Sequence, residues 1–194
     1  IRDSMLEKLK AAGVNWLGLG IESSSSLVRD GVSKGTFNDD MIHDVVRKVR
    51  DHDIAVGANY IFGLPDDTME SMNETLDLAI ELNTEWANFY CAMAYPGSPL
   101  YGKAMANKWP LPDDDGGPGW IGYSQLAYDA LPLPTMALSA AQVLEFRDYA
   151  FDKYFTNPAY LTMLEAKFGG EAVTHVKQMT SHQLKRRLLE TPDC

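Results

Sequence analysis

The chain has 194 residues, 45% of them hydrophobic and 23% charged, a balance that excludes a disordered chain and leaves enough length to bury a core. A formal net charge of -10 excludes simple electrostatic attraction to nucleic acid or to an anionic membrane, because both demand clustered Lys and Arg. With two cysteines, Cys91 and Cys194, there is neither a disulfide framework nor a four-cysteine metal site. No apolar run approaches the ~20 residues of a membrane span, and no secretory leader opens the chain, so a cytoplasmic protein is expected.

In chain order, Met5, Leu6 and Leu9 give a short helical stripe that Gly13 can close, followed by an apolar strand over residues 14–21. Asn38 or Asp39 can cap a second helix, with Ile42, Val45, Val46 and Val49 on one face, before a strand over residues 54–62. Thr68 can cap a third helix carrying Met69, Met72, Leu76 and Ala79, and residues 86–93 read as a third strand. Alternating strands and helices predict an α/β fold with parallel strands, either an open doubly wound sheet or part of a β/α barrel. Residues 109–135 turn to Pro, Gly and Asp and read as a connector. Beyond it, Ser139 with Gln142 signals a capping box for a helix with Val143, Leu144, Ala150, Phe151 and Tyr154 on one stripe. A further helix is predicted near residues 171–179, and Thr180 with Gln183 can open a last one bearing Lys185, Arg186 and Arg187 as a solvated basic face. The domain organisation read from this pattern is a β/α part over residues 1–108, the connector over 109–135, and a helical extension over 136–194.

In either architecture a ligand site gathers at the C-terminal ends of parallel strands. Period two puts Trp16, Gly18, Gly20 and Glu22 on one face of the first strand, and Ala55, Gly57, Asn59, Ile61 and Gly63 on one parity of the second. A carboxylate and an amide above side-chain-free positions suit a bulky ligand; a helix-capping Glu22 and an internally satisfied Asn59 are the plain alternatives. The turn from Gly63 through Leu64 and Pro65 to Thr68 can offer free amide groups to a polar ligand. The four histidines, His43, His52, His175 and His182, do not pair at ligand spacing, and Cys91 reads as a buried structural thiol.

Gly20-Ile21-Glu22-Ser23, then Lys34-Gly35, then Asn59-Tyr60-Ile61-Phe62-Gly63-Leu64-Pro65, then Tyr95-Pro96-Gly97-Ser98-Pro99-Leu100-Tyr101 resemble, in order and spacing, the radical S-adenosylmethionine (SAM) enzymes. The branch resembled is one whose full-length members often carry a cobalamin-binding domain ahead of the barrel, and the resemblance covers about residues 1–105. It implies the C-terminal half of a partial, TIM-like β/α barrel, followed by a helical C-terminal extension. It implies S-adenosylmethionine as cofactor, with Glu22 and Ser23 beside the ribose or methionine part, and Asn59 in the cofactor-binding set. Ile61, Gly63 and Leu64 would lie near adenine, and Tyr95 and Pro96 on the side of an unidentified small-molecule substrate. For a full-length parent it implies reductive cleavage of S-adenosylmethionine, hydrogen abstraction and, with cobalamin, methyl transfer to carbon. The family's 4Fe-4S cluster is held by Cys-x-x-x-Cys-x-x-Cys, and this sequence has no such run. The chain therefore reads as a fragment without cluster ligands, inactive in isolation and prone to self-association through an exposed edge strand. The alternative is a catalytically silent ligand-binding or interaction module.

Overall fold

The computed structural model describes residues 1–25, 28 and 39–190. The Lys34-Gly35 pair, Asn38 as a cap, and Cys194 lie outside the described residues. Helix α1 (Asp3–Ala11) leads into strand β1 (Trp16–Glu22); α2 (Asp39–Asp51), β2 (Ala55–Phe62), α3 (Met69–Leu82) and β3 (Trp86–Cys91) follow. The strands form one parallel sheet in the order β1-β2-β3, as the alternation of elements predicts. A short α4 (Pro99–Ala106) and a 3-10 turn (Gly119–Tyr123) precede α5 (Ala140–Phe155), α6 (Pro158–Phe168), α7 (Gly170–Thr180) and α8 (Arg187–Glu190).

Local chemistry explains several of these boundaries. Thr68 accepts from the Ser71 amide while the Ser71 hydroxyl accepts from the Thr68 amide, so α3 begins on a reciprocal capping box; Ser139 and Gln142 do the same for α5. Both α4 and α6 start on a polar cap followed by proline, Ser98-Pro99 and Asn157-Pro158, where the missing proline N–H costs nothing.

The sheet has two unlike faces. Ala58, Tyr60, Phe62, Ala87, Phe89 and Cys91 point to the helices and are buried, while Gly57, Asn59, Ile61, Trp86 and Asn88 on the other parity are half-buried and Tyr90 is exposed. On the helix side Tyr60 and Phe62 stack on Phe89 with ring centroids 5.4 and 5.7 Å apart, and Phe146 and Tyr154 of α5 meet these rings edge-on. A fully buried side chain of this size stabilises by roughly 1.5–3 kcal/mol. Val143, Leu144, Ala150 and Tyr154, predicted as a helical stripe, are buried in the same cluster as the strands, so α5 completes the sheet's core.

At the N-terminal end of β3, buried Glu85 binds Arg50 (3.0 Å), Lys167 (2.8 Å) and the Val56 amide (2.8 Å), tying α2, α6 and β2 together. Burial alone would raise its carboxyl, but the hydrogen bonds from Lys167 and Val56 and the charge of Arg50 hold it below the usual range. The basic cluster departs from the expected solvated helix. Its residues 182–186 are not helical, and Arg186 is 2% exposed. The Arg186 guanidinium donates to both carboxylate oxygens of Asp148 and to the carbonyls of Gln125 and Ala127, which satisfies the charge that burial would otherwise penalise. No helix among the described residues is long and apolar enough to cross a membrane.

Candidate cofactor-binding face

The open face of the sheet brings Glu22 and Asn59, two of the expected residues, together over glycines. In register, Gly18 stands opposite Gly57 and Gly20 opposite Asn59, giving β1 and β2 a floor almost without side chains. An ideal Cβ on Gly18 would lie 3.9 Å from Asn59 Nδ2, which places the amide on that floor. Glu22 follows an irregularity in the pairing after Gly20 and takes φ 68°, in the left-handed region. That conformation costs a non-glycine residue of order 1 kcal/mol. It turns the carboxylate back over the strand, because a Cβ on Gly20 would lie 2.8 Å from Glu22 Oε1. Glu22, Gly18, Gly20 and Asn59 therefore share one face, with Leu19 and Tyr60 on the other; Glu22 reaches it through its left-handed backbone after the irregularity, which sets it level with Tyr60 in the register.

Other expected site residues are placed differently. Ser23 is fully buried with its hydroxyl 3.2 Å from that of Thr75, and the Ser24 amide donates to the same Thr75 oxygen at 3.0 Å. Ser23 thus fastens the end of β1 to α3. The Gly63 and Leu64 amides, expected to be free for a polar ligand, both donate to Asp67 Oδ2 at 3.0 Å. The turn carries its own anion. Burial raises the Asp67 carboxyl above its ordinary value, against the lowering pull of the Ser71 hydroxyl and these two amides. Gly63 has φ 81°, and any Cβ there would collide with Val143 of α5. Leu64 packs with Val28, Ala92 and the half-buried Ile61 beside the strand ends. Tyr95 is exposed and stacked on Tyr123 at 5.4 Å, and Pro96 is exposed.

The residues that sequence reasoning missed are Trp86 and Asn88. Asn88 is the register partner of Asn59, and its Nδ2 donates to Asn59 Oδ1 at 2.8 Å; Trp86 Nε1 donates to Asn88 Oδ1 at 2.9 Å. The available signal was parity: Asn88 stands to β3 as Asn59 stands to β2. A cavity of about 930 Å³ runs along this strand, lined by Trp86, Asn88 and Tyr90, by Tyr149 and Asp152 of α5, and by Leu184 of the tail.

Among the described residues no group of three His, Cys, Asp or Glu side chains could hold a metal. His52 is 2.8 Å from the Lys48 carbonyl and His43 is 3.6 Å from Glu81, both on the helical side of the chain. Cys91 is buried on the helix face, and that burial pushes its thiol up to about 12, far from the thiolate a metal would need.

Residues 1–79 match the Radical SAM superfamily. Over 105 residues, 54% of this chain and 23% of the relative, the sequence is 30% identical to the uncharacterized methyltransferase PH0819 of Pyrococcus horikoshii. It is 28% identical over 99 residues, 51% of this chain and 18% of the relative, to the anaerobic magnesium-protoporphyrin IX monomethyl ester cyclase of Rubrivivax gelatinosus. The matched stretch thus spans about a fifth of these relatives' length. Among solved structures, coproporphyrinogen III oxidase (HemN) of Escherichia coli superposes with a TM-score of 0.46 at 20% identity, covering 65% of this chain and 36% of that one.

Proposed function

We propose, from the match of residues 1–79 to the Radical SAM superfamily, that the open face of the sheet holds the nucleoside part of S-adenosylmethionine. The reading is carried by the convergence of Glu22, at the C-terminal end of β1, and Asn59 on a floor of Gly18, Gly20 and Gly57 in the middle of two parallel strands. The glycines let a flat ligand approach the backbone, Glu22 accepts from its hydroxyls, and Asn59 donates to its acceptors. Ser23 keeps Glu22 in place through Thr75, Ile61, Gly63 and Leu64 border the adenine, and Tyr95 and Pro96 face the substrate.

In a full-length parent, a 4Fe-4S cluster would supply the electron for reductive cleavage of S-adenosylmethionine. The residues of this chain do not fit that cluster. Its two cysteines lie at positions 91 and 194, and Cys91 is sealed on the helix side of the sheet. This chain's part is to bind and orient, and by itself it does not cleave the cofactor. For the parent we propose methyl transfer to carbon with cobalamin as methyl carrier; the similarity to a protein named as a methyltransferase supports the transfer.

Calorimetry tests the binding reading. S-adenosylmethionine should bind the chain, and Glu22→Ala should weaken binding about ten- to a hundredfold, the worth of a charge-assisted hydrogen bond of about 1.5–3 kcal/mol. Unchanged affinity in a folded variant would return Glu22 to a purely structural role. Reductant-dependent 5′-deoxyadenosine from the chain after iron and sulfide reconstitution would overturn the division of labour.

A further inference from the structure

The amide of Asn59 has a sense as well as a position, and the structure shows what sets it. The indole N–H of Trp86 can only donate. Its bond to Asn88 Oδ1 therefore turns the Asn88 amino group toward β2, where Nδ2 meets Asn59 Oδ1 at 2.8 Å. With its oxygen occupied on that side, Asn59 directs its own amino group the other way. Nδ2 indeed lies on the β1 side, 3.9 Å from where a Gly18 Cβ would stand.

We propose that Trp86 and Asn88 are positioning residues, forming a one-way relay that keeps Asn59 a hydrogen-bond donor toward whatever lies on the glycine floor. An amide left alone can flip and present either end at little cost, so a lone Asn59 would accept ligands of either polarity. The relay removes that freedom. The floor then offers a donor at Asn59 and an acceptor at Glu22, on neighbouring strands. The ligand group it selects has an oxygen acceptor over Gly18 and a hydroxyl donor toward Gly20, the pattern of a vicinal diol. Ligands that present only donors to Asn59 are rejected, because one of the two would be left unpaired. This inference rests on the nucleoside-binding reading for the identity of the ligand, but the relay itself exists in the free protein.

Two measurements separate these levels. In the free chain, the side-chain amide protons of Asn59 and Asn88 and the indole proton of Trp86 should be slow to exchange by nuclear magnetic resonance. Trp86→Phe, which keeps a ring against Phe155 but removes the N–H, should speed exchange at Asn59, two strand positions away on the neighbouring strand. With adenosine as probe, Asn88→Asp should lower affinity by about tenfold, since a carboxylate can only accept and would turn the Asn59 amide over. Asn88→Leu, which merely frees Asn59 to rotate, should cost less. A simple packing role predicts the reverse order, with leucine at least as harmful as aspartate, and that order would overturn the relay. So would unchanged Asn59 exchange in a folded Trp86→Phe protein. Failure of the wild-type chain to bind adenosine would instead strike the nucleoside-binding reading, while the exchange measurements still decide the relay.

Discussion

The two outer edges of the sheet are finished in opposite ways. Beyond β3, side chains and loops occupy the positions a further strand would take. Gln125 accepts from the Cys91 amide and donates to the Cys91 carbonyl, both at 2.9 Å, so one side-chain amide reproduces a strand's pair of bonds. Arg147 donates to the Phe89 carbonyl at 2.8 Å, and the Leu133 amide to that of Ala92 at 3.0 Å. Beyond β1 no strand pairs among the described residues, Trp16 is 48% exposed, and Gly18 and Gly20 are open to solvent. A strand edge is a template for pairing unless something covers it. Here one edge is closed by polar side chains held in place from behind, and the other keeps its capacity to add a neighbour.

The strongest test of the closed edge removes what holds it. Arg186→Ala strips four hydrogen bonds from Asp148 and from the carbonyls of Gln125 and Ala127, and leaves a carboxylate and two carbonyls short of a partner. Chemical denaturation should show a loss of about 3 kcal/mol or more, and Gln125→Leu a loss of about 1–3 kcal/mol from the two Cys91 bonds alone. A loss of only a few tenths from both would mean that the edge is closed by packing. At the open edge the effect is on association: light scattering should show concentration-dependent self-association of the wild-type chain. Trp16→Lys, a charge on the edge strand, should reduce it, at a stability cost of about 0.5–1.5 kcal/mol from the lost stacking of Trp16 on Phe168. A wild-type chain that stays monomeric at high concentration would show that the β1 edge is covered after all.

The smallest expected effect concerns the N-terminal end of the sheet, which both edges share. Because the Glu85 carboxyl is held below its unfolded value, its ionisation adds stability above the unfolded pKa. That contribution fades as pH falls below about 4.3 and through the folded pKa. The melting temperatures of the wild type and Glu85→Gln should therefore differ at neutral pH and converge in acid. A gap independent of pH would assign Glu85 a steric role.

Much of this arrangement was legible in the sequence where it rests on periodicity. The three strands, the helices between them and the shared face of Gly18 and Asn59 follow from repeats of 2 and 3.6 residues, and the Thr68 cap and the Ser139–Gln142 capping box from local motifs. What stayed hidden depends on partners without a period. Arg186 is buried because carbonyls of an irregular connector meet it, and nothing in three successive basic residues indicates that. The amides of Gly63 and Leu64 are claimed by Asp67, four and three residues on, a local competition that a ligand-oriented reading passes over. Helices α4 and α6 begin at Ser-Pro and Asn-Pro, dipeptides that serve turns as readily as helix starts.

Gly63 gives the site a mechanical property. With φ 81° and Val143 of α5 against its α-carbon, the end of β2 has no slack toward the helix that anchors the tail. Displacing the turn beside the glycine floor must displace α5, and with it the helix whose Arg147 and Asp148 hold the outer edge of β3. The end of β2 and the outer edge of β3 are thus braced by one and the same helix, and a side chain added at Gly63 would be felt at both.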